Sequence, residues 1–242
     1  MLISIEGMDG VGKSTITKRV SKTLDIPLVE KSIDRLLCLD KEHSNIITEK
    51  IYSDYSSNVQ GMYYLLGYLS ALEDSKRKDI IMDRSFLSTY YFSYNEENAP
   101  LFDIIANYYG LPDLTIILYA SIDERIKRIK KRNSSDVDLN KKRLYIDDYT
   151  KFFEGIKKYN MPYLVINNEK LQAEDTALLV STIVKLIIEN KENLDNLKSI
   201  FSIENMKSIS DLSIEDMIEL IKNSVSNNRI KVLKREEKIW NN

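Results

Sequence analysis

The chain has 242 residues, 35 Lys+Arg against 37 Asp+Glu, one cysteine and one histidine, enough length for one large α/β core. The near-neutral charge of −2 excludes a general polyanion-binding surface, and Cys38 and His43, each single, exclude an intramolecular disulfide, a cysteine-built zinc site and histidine-clustered metals. No apolar run approaches the roughly 18 residues of a membrane span, and Met1 to Ser4 lead straight into the first strand pattern, so we expect no signal peptide and a cytoplasmic protein with no membrane or nucleic-acid partner.

In chain order, short continuous apolar runs lie at Leu2–Ile5, Ile26–Val29, Ile80–Met82, Leu114–Tyr119 and Tyr163–Ile166. Runs of this kind suit strands buried on both faces. Stretches with helical spacing lie between and after them, at about 14–24, 58–77, 86–109, 122–132, 140–159 and 172–189. The alternation predicts a three-layer α/β sandwich with a five-stranded parallel sheet, its ligands at the carboxyl ends of the strands. Residues 1–189 form the predicted α/β domain. Residues 190–242 read as a mainly helical C-terminal extension, with Ser213 capping a helix through Met217, Leu220 and Ile221, and a weak strand signal at Arg229–Leu233.

Between the first strand and the first helix stands Gly7-Met-Asp-Gly-Val-Gly-Lys-Ser-Thr15. This is the G-x4-G-K-S phosphate loop in the strand–helix context that gives the motif its meaning. Its backbone N–H groups and Lys13 are expected to cradle the phosphates of ATP, and Ser14 to direct a hydroxyl at Mg²⁺. Gly7, Asp9, Gly10, Gly12 and Thr15 complete the loop, and Asp9 is expected near the acceptor. The third apolar run ends in Asp83-Arg84-Ser85, which places a metal-directed carboxylate beside a phosphate-directed guanidinium. Arg125, Arg128 and Arg132 share one helical face and lead into the polar segment Asn133–Asp138, a lid that brings cations over a transferring phosphoryl group.

Gln60, Tyr64 and Gly67 share another face, as do Ser85, Ser88 and Phe92. An amide with an aromatic ring suits the edge and face of a base. Glu30, at the end of the second strand, is placed to take a proton from a hydroxyl acceptor, while Lys31 or Arg35 could bind an acceptor phosphate.

Ile5 to Thr15, with Asp-Gly inside the loop, resembles the phosphate loop of thymidylate kinases, and Asp83-Arg-Ser-Phe-Leu-Ser88 followed by Phe92 is similar to that family's Asp-Arg-Tyr-x-x-Ser signature. Pro112–Leu118 and the basic helix after it look like its fourth strand and lid. The resemblance spans about residues 1–190 and implies ATP- and Mg²⁺-dependent conversion of dTMP to dTDP by a homodimer. Lys13, Asp83, Arg84, Arg128 and Arg132 would be catalytic, and Asp9, Glu30, Gln60, Tyr64, Arg84, Ser88 and Phe92 would lie on the substrate. Two departures are visible. Val-Glu-Lys-Ser-Ile33 stands where the family has Arg-Glu-Pro-Gly-Gly-Thr, and Gly67-Tyr68 where it has an arginine. Deoxynucleoside kinases share the fold and the Arg-Ser pair, and Glu30 and Gln60 fall where they carry a catalytic Glu and a base-reading Gln. A third reading is a non-catalytic P-loop binding module. Outside the phosphate loop itself (Asp9–Gly12) no Asp-x-x-Gly string of a GTPase occurs, and no Asn-Lys-x-Asp string does.

Overall fold

A computed structural model of the chain describes residues 1–140, 142–145, 149–202, 205 and 211–224. Five strands form one parallel sheet: β1 (Leu2–Glu6), β2 (Leu28–Val29), β3 (Ile80–Asp83), β4 (Leu114–Tyr119) and β5 (Tyr163–Asn167), in the order β2-β3-β1-β4-β5. The chain leaves β1 for one side of the sheet and β3 for the other. The carboxyl ends of these two neighbours therefore flank the crevice where an α/β sheet binds its ligand.

Around the sheet run α1 (Lys13–Leu24), α2 (Ser32–Leu36), α3 (Lys41–Asp54), α4 (Ser57–Ser75), α5 (Phe86–Ser93), α6 (Ala99–Ile104), α7 (Ile122–Arg132), α8 (Thr150–Tyr159), α9 (Ala173–Glu189) and α10 (Asn193–Ile200). Strand residues alternate between faces. Ile3 and Ile5 join the core under α1 and α9, whereas Leu2 joins the core under α4, α5 and α8. By the same alternation Ser4 and Glu6 face the α4–α5 side, and both are fully buried.

The elements differ from expectation in four places. The helix predicted over 86–109 is broken, because Asn95 and Asn98 exchange side-chain and backbone hydrogen bonds (2.9 and 3.1 Å) that compete with helical pairing. It resumes as α6, with Pro100 in its first turn and a π-turn at Ile105–Tyr109. Of the stretch 140–159, only Thr150–Tyr159 is α-helical, preceded by 3₁₀ turns at Val137–Asn140 and Lys142–Tyr145. Helices α2 and α3 occupy a span with no predicted element. The second strand is cut to Leu28–Val29, as Pro27 pairs through its carbonyl alone (Ile81 N–H, 3.0 Å).

Beyond α9, Leu197, Ile200 and Phe201 are buried in the same core as Ile183 and Val184. A helix at 214–224 adds Met217 and Ile221 to that core. Ser213 caps it by accepting from Asp216 N–H at 3.1 Å. The strand signal at Arg229–Leu233 lies outside the described residues.

Candidate active site

The phosphate loop connects β1 to α1 at the crevice. Gly7, Gly10 and Gly12 have φ of 140°, 86° and 98°, values that L side chains rarely adopt. A Cβ on Gly7 would also lie 2.5 Å from the Leu118 carbonyl oxygen, so the loop can pass under β4 only without one. Gly12 caps α1 with no side-chain bond, which leaves first-turn N–H groups of the helix for an anion.

Lys13 is buried, and its Nζ donates to the Met8 carbonyl at 2.8 Å across the loop. Burial, and next the Arg84 guanidinium, lower its pKa from 10.5 to about 7, against the opposing pull of Asp9, Asp83 and Glu6. The ammonium is thus held beside the place where phosphates would restore its charge. Ser14 Oγ donates to Asp83 Oδ2 at 2.6 Å. The other oxygen, Asp83 Oδ1, is buried with no hydrogen-bond partner among the described residues. A hydroxyl, a carboxylate and an unsatisfied buried oxygen suit Mg²⁺, which takes one or two protein ligands and completes its shell with water and phosphate. The described residues hold no cage of three or more His, Cys, Asp or Glu.

Two clefts open here, of about 520 and 650 Å³. The larger runs along the phosphate loop to α7 and residues 168–173, with Thr15, Arg128 and Arg132 in its lining. The smaller is walled by α2, α3, α4 and α5, with Glu30, Tyr64, Ser88 and Phe92 in its lining. Asp9, Ser14 and Arg84 line both. Arg84 marks the seam. Its guanidinium pairs with the Asp9 carboxylate, donates to Ser88 Oγ at 3.3 Å and lies 5.6 Å from the Phe92 ring centre. Its φ is 68°, a conformation that costs a non-glycine residue about 1–3 kcal/mol and persists where the surroundings impose it.

The other predicted residues are placed as follows. The Glu30 carboxylate is 3.2 Å from Lys18 Nζ at the mouth of the smaller cleft. Gln60 donates to the Tyr55 carbonyl at 2.8 Å and lines neither cleft. Tyr64 packs against Tyr52 and Tyr63, and burial pushes its phenol pKa up. Arg128 donates to the carbonyls of Val11 (3.1 Å), Asn168 (2.7 Å) and Glu169 (3.3 Å), tying the phosphate loop to the segment after β5. Arg132 is exposed and bonds Asp136 and Asp138 of the polar segment after α7. Arg125 is fully buried, and its carbonyl oxygen is 2.9 Å from where a Gly10 Cβ would stand.

Sequence reasoning missed Asp34, Asn45, Thr48 and Tyr52 of the smaller cleft, since no helix was expected there. It also missed Glu6, the one charge in β1, although a carboxylate in an apolar strand ahead of a phosphate loop was a visible signal. Glu6 Oε1 accepts from Ser85 N–H (2.7 Å) and Ser85 Oγ (2.9 Å), and Oε2 accepts from Ser88 Oγ.

The sequence matches the family model described as thymidylate kinase over residues 5–177. It is 30% identical to a probable thymidylate kinase of Methanosphaera stadtmanae over 54% of this chain and 73% of the relative. It is 27% identical to a deoxyadenosine kinase of Dictyostelium discoideum, over 74% of this chain and 77% of that one. Among solved structures, deoxyadenosine kinase from M. mycoides with the products dCMP and a flexible dCDP bound aligns with a TM-score of 0.56 at 25% identity, over 77% of this chain and all (100%) of that one.

Proposed function

The chain belongs to the thymidylate kinase family, and from that premise we propose that it transfers the γ-phosphoryl group of ATP to a deoxynucleoside monophosphate, dTMP foremost, giving dTDP. The family and the relatives make it a nucleotide or nucleoside kinase. The choice of acceptor is our reading.

The observation that carries it is Arg84 at the seam of the two clefts. A planar guanidinium there is matched to an acceptor phosphate on one side and faces the donor on the other. A monophosphate oxygen is already an anionic nucleophile and needs charge neutralisation rather than a base. Lys13 and the loop N–H groups hold the donor phosphates, and Ser14 and Asp83 would hold Mg²⁺, which when bound would supply positive charge to offset that of the transferring phosphoryl group. The acceptor oxygen bonds to the γ-phosphorus as the bridging β–γ bond breaks, and ADP leaves. Arg84 orients the acceptor, Phe92 and Tyr64 flank its base, Asp9 stands at its sugar, and Ser88 steadies Arg84. Gln60 would join the base only after leaving the Tyr55 carbonyl. Arg132 is the cation that the lid brings over the transferring group, and Arg128 adds charge to the donor cleft from its tie to the phosphate loop.

Glu30 supports a second reading, a nucleoside 5′-hydroxyl as acceptor. Its carboxylate at the cleft mouth is the group such an acceptor would need as a base. ATP consumption with Mg²⁺ against a panel of deoxynucleosides and their monophosphates decides between them. Turnover of dTMP without thymidine supports the first reading, and turnover of a nucleoside alone replaces it with the second.

We also read the enzyme as a cytoplasmic homodimer of nucleotide biosynthesis. No helix among the described residues is long and apolar enough to cross a membrane. The stripe Val59, Met62 and Leu66 is exposed along α4, and sedimentation tests the dimer.

A further inference from the structure

We propose that Glu6 is the positioning residue for Arg84, a buried carboxylate that locks the turn after β3 so that the guanidinium stays at the seam of the clefts. The inference rests on reading that seam as the place of phosphoryl transfer. Glu6 is 0% exposed, and a buried carboxylate is costly unless its oxygens are satisfied. Its hydrogen-bond partners are all donors: Ser4 Oγ at 2.9 Å, Ser85 N–H, Ser85 Oγ and Ser88 Oγ. Ser4 Oγ also lies 2.7 Å from Ser85 Oγ, so the two hydroxyls and the carboxylate form one buried network.

These bonds act on Arg84 from two sides. Ser85 follows Arg84 directly, so anchoring its amide holds the peptide that the φ of 68° at Arg84 requires. Ser88 lies under the side chain. Because its one proton goes to Glu6, its oxygen lone pairs face Arg84 Nη1, which donates to it at 3.3 Å. A neutral amide at position 6 reverses this. Its NH₂ would donate to Ser88 Oγ and free the hydroxyl proton to point at the guanidinium. A hydrophobic residue would fill the same space at lower cost if only packing were served.

The test uses the full chain with the variants Glu6→Gln and Ser85→Ala. The second removes a single donor from the carboxylate and carries the test if Glu6→Gln does not fold. The Arg84 side-chain Nε–H signal is assigned by its loss in Arg84→Lys and followed by NMR. We expect it to be resolved and slow to exchange in the wild type, and to merge with the exposed arginines in both variants while other arginine signals stay. With dTMP as acceptor, kcat/KM should fall about 10- to 100-fold with the KM for ATP unchanged, and Glu6→Gln should cost nothing further in an Arg84→Ala background. An unmoved Arg84 signal in a folded variant, or a lowered Tm with unaltered kinetics, overturns the proposal. If dTMP is not turned over, the NMR result still decides the role of Glu6, and the acceptor reading fails by itself.

Discussion

Ser14 Oγ and Asp83 Oδ2, 2.6 Å apart, join the first turn of α1 to the tip of β3. The bond brings together the two protein groups suited to a phosphate-bound cation and leaves Asp83 Oδ1 buried without a partner among the described residues. Asp83→Asn keeps the shape and the bond from Ser14 but removes the charge. The Mg²⁺ concentration for half-maximal turnover should rise about 10- to 100-fold, with the Tm little changed. A magnesium titration at saturating ATP checks this, and an unshifted titration would remove Asp83 from the metal site.

Lys13 couples donor binding to protons. Its pKa of about 7 in the folded chain lies below the ordinary 10.5. Between these values the unfolded chain binds more protons, so the Lys13 contribution makes stability rise with pH across that window, and its penalty is full below about pH 7. ATP phosphates favour the charged form and raise the pKa again. Binding near pH 8 should therefore take up protons, and affinity should fall as pH rises above about 7. Calorimetry in two buffers of different ionisation enthalpy measures the uptake. Lys13→Met should abolish it together with turnover, and equal heats in both buffers for the wild type would refute the coupling.

Local signals were legible and distant ones were not. The five strands read as apolar runs because both sheet faces are covered, and the phosphate loop is a nine-residue pattern between a strand and a helix. Helix α3 escaped because Ser44 is its only buried residue, so it carries no apolar stripe to read. Helix α2 is five residues long, under two turns. The break before α6 comes from Asn95 and Asn98 bonding each other's backbone, which periodicity does not register. Gln60 shares a helical face with Tyr64, yet its amide turns to the Tyr55 carbonyl, a contact set by how α3 joins α4.

Gly67 shows what replaced the expected arginine. A Cβ there would lie 2.5 Å from Ile33 N and 2.6 Å from Ser32 Oγ, so α2 packs backbone-close on α4. Gly67→Ala must push α2 outward and should cost about 1–3 kcal/mol of stability. Since Ser32, Ile33 and Asp34 line the smaller cleft, the KM for the acceptor should rise while that for ATP holds. Urea unfolding and two-substrate kinetics read both effects, and equal rises in the two KM values would contradict the assignment of α2 to the acceptor wall.

Arg128 and Arg132 stand one helical turn apart on α7 and should behave differently. Arg128 holds three backbone carbonyls on two segments. Its removal leaves those oxygens without their charged donor, so Arg128→Ala should lower stability by about 2 kcal/mol and raise the KM for ATP as the phosphate loop loosens. The Arg132 side chain is 61% exposed and bonds the lid carboxylates. Arg132→Ala should change stability by less than about 0.5 kcal/mol. If the lid delivers this cation to the transferring group, kcat should drop about 100-fold while the KM for ATP stays near its wild-type value. Thermal melts beside steady-state kinetics separate the two roles. A normal kcat in Arg132→Ala would move the lid cation to another residue, and an unchanged melt in Arg128→Ala would show that the tie between Val11 and Asn168 carries no load.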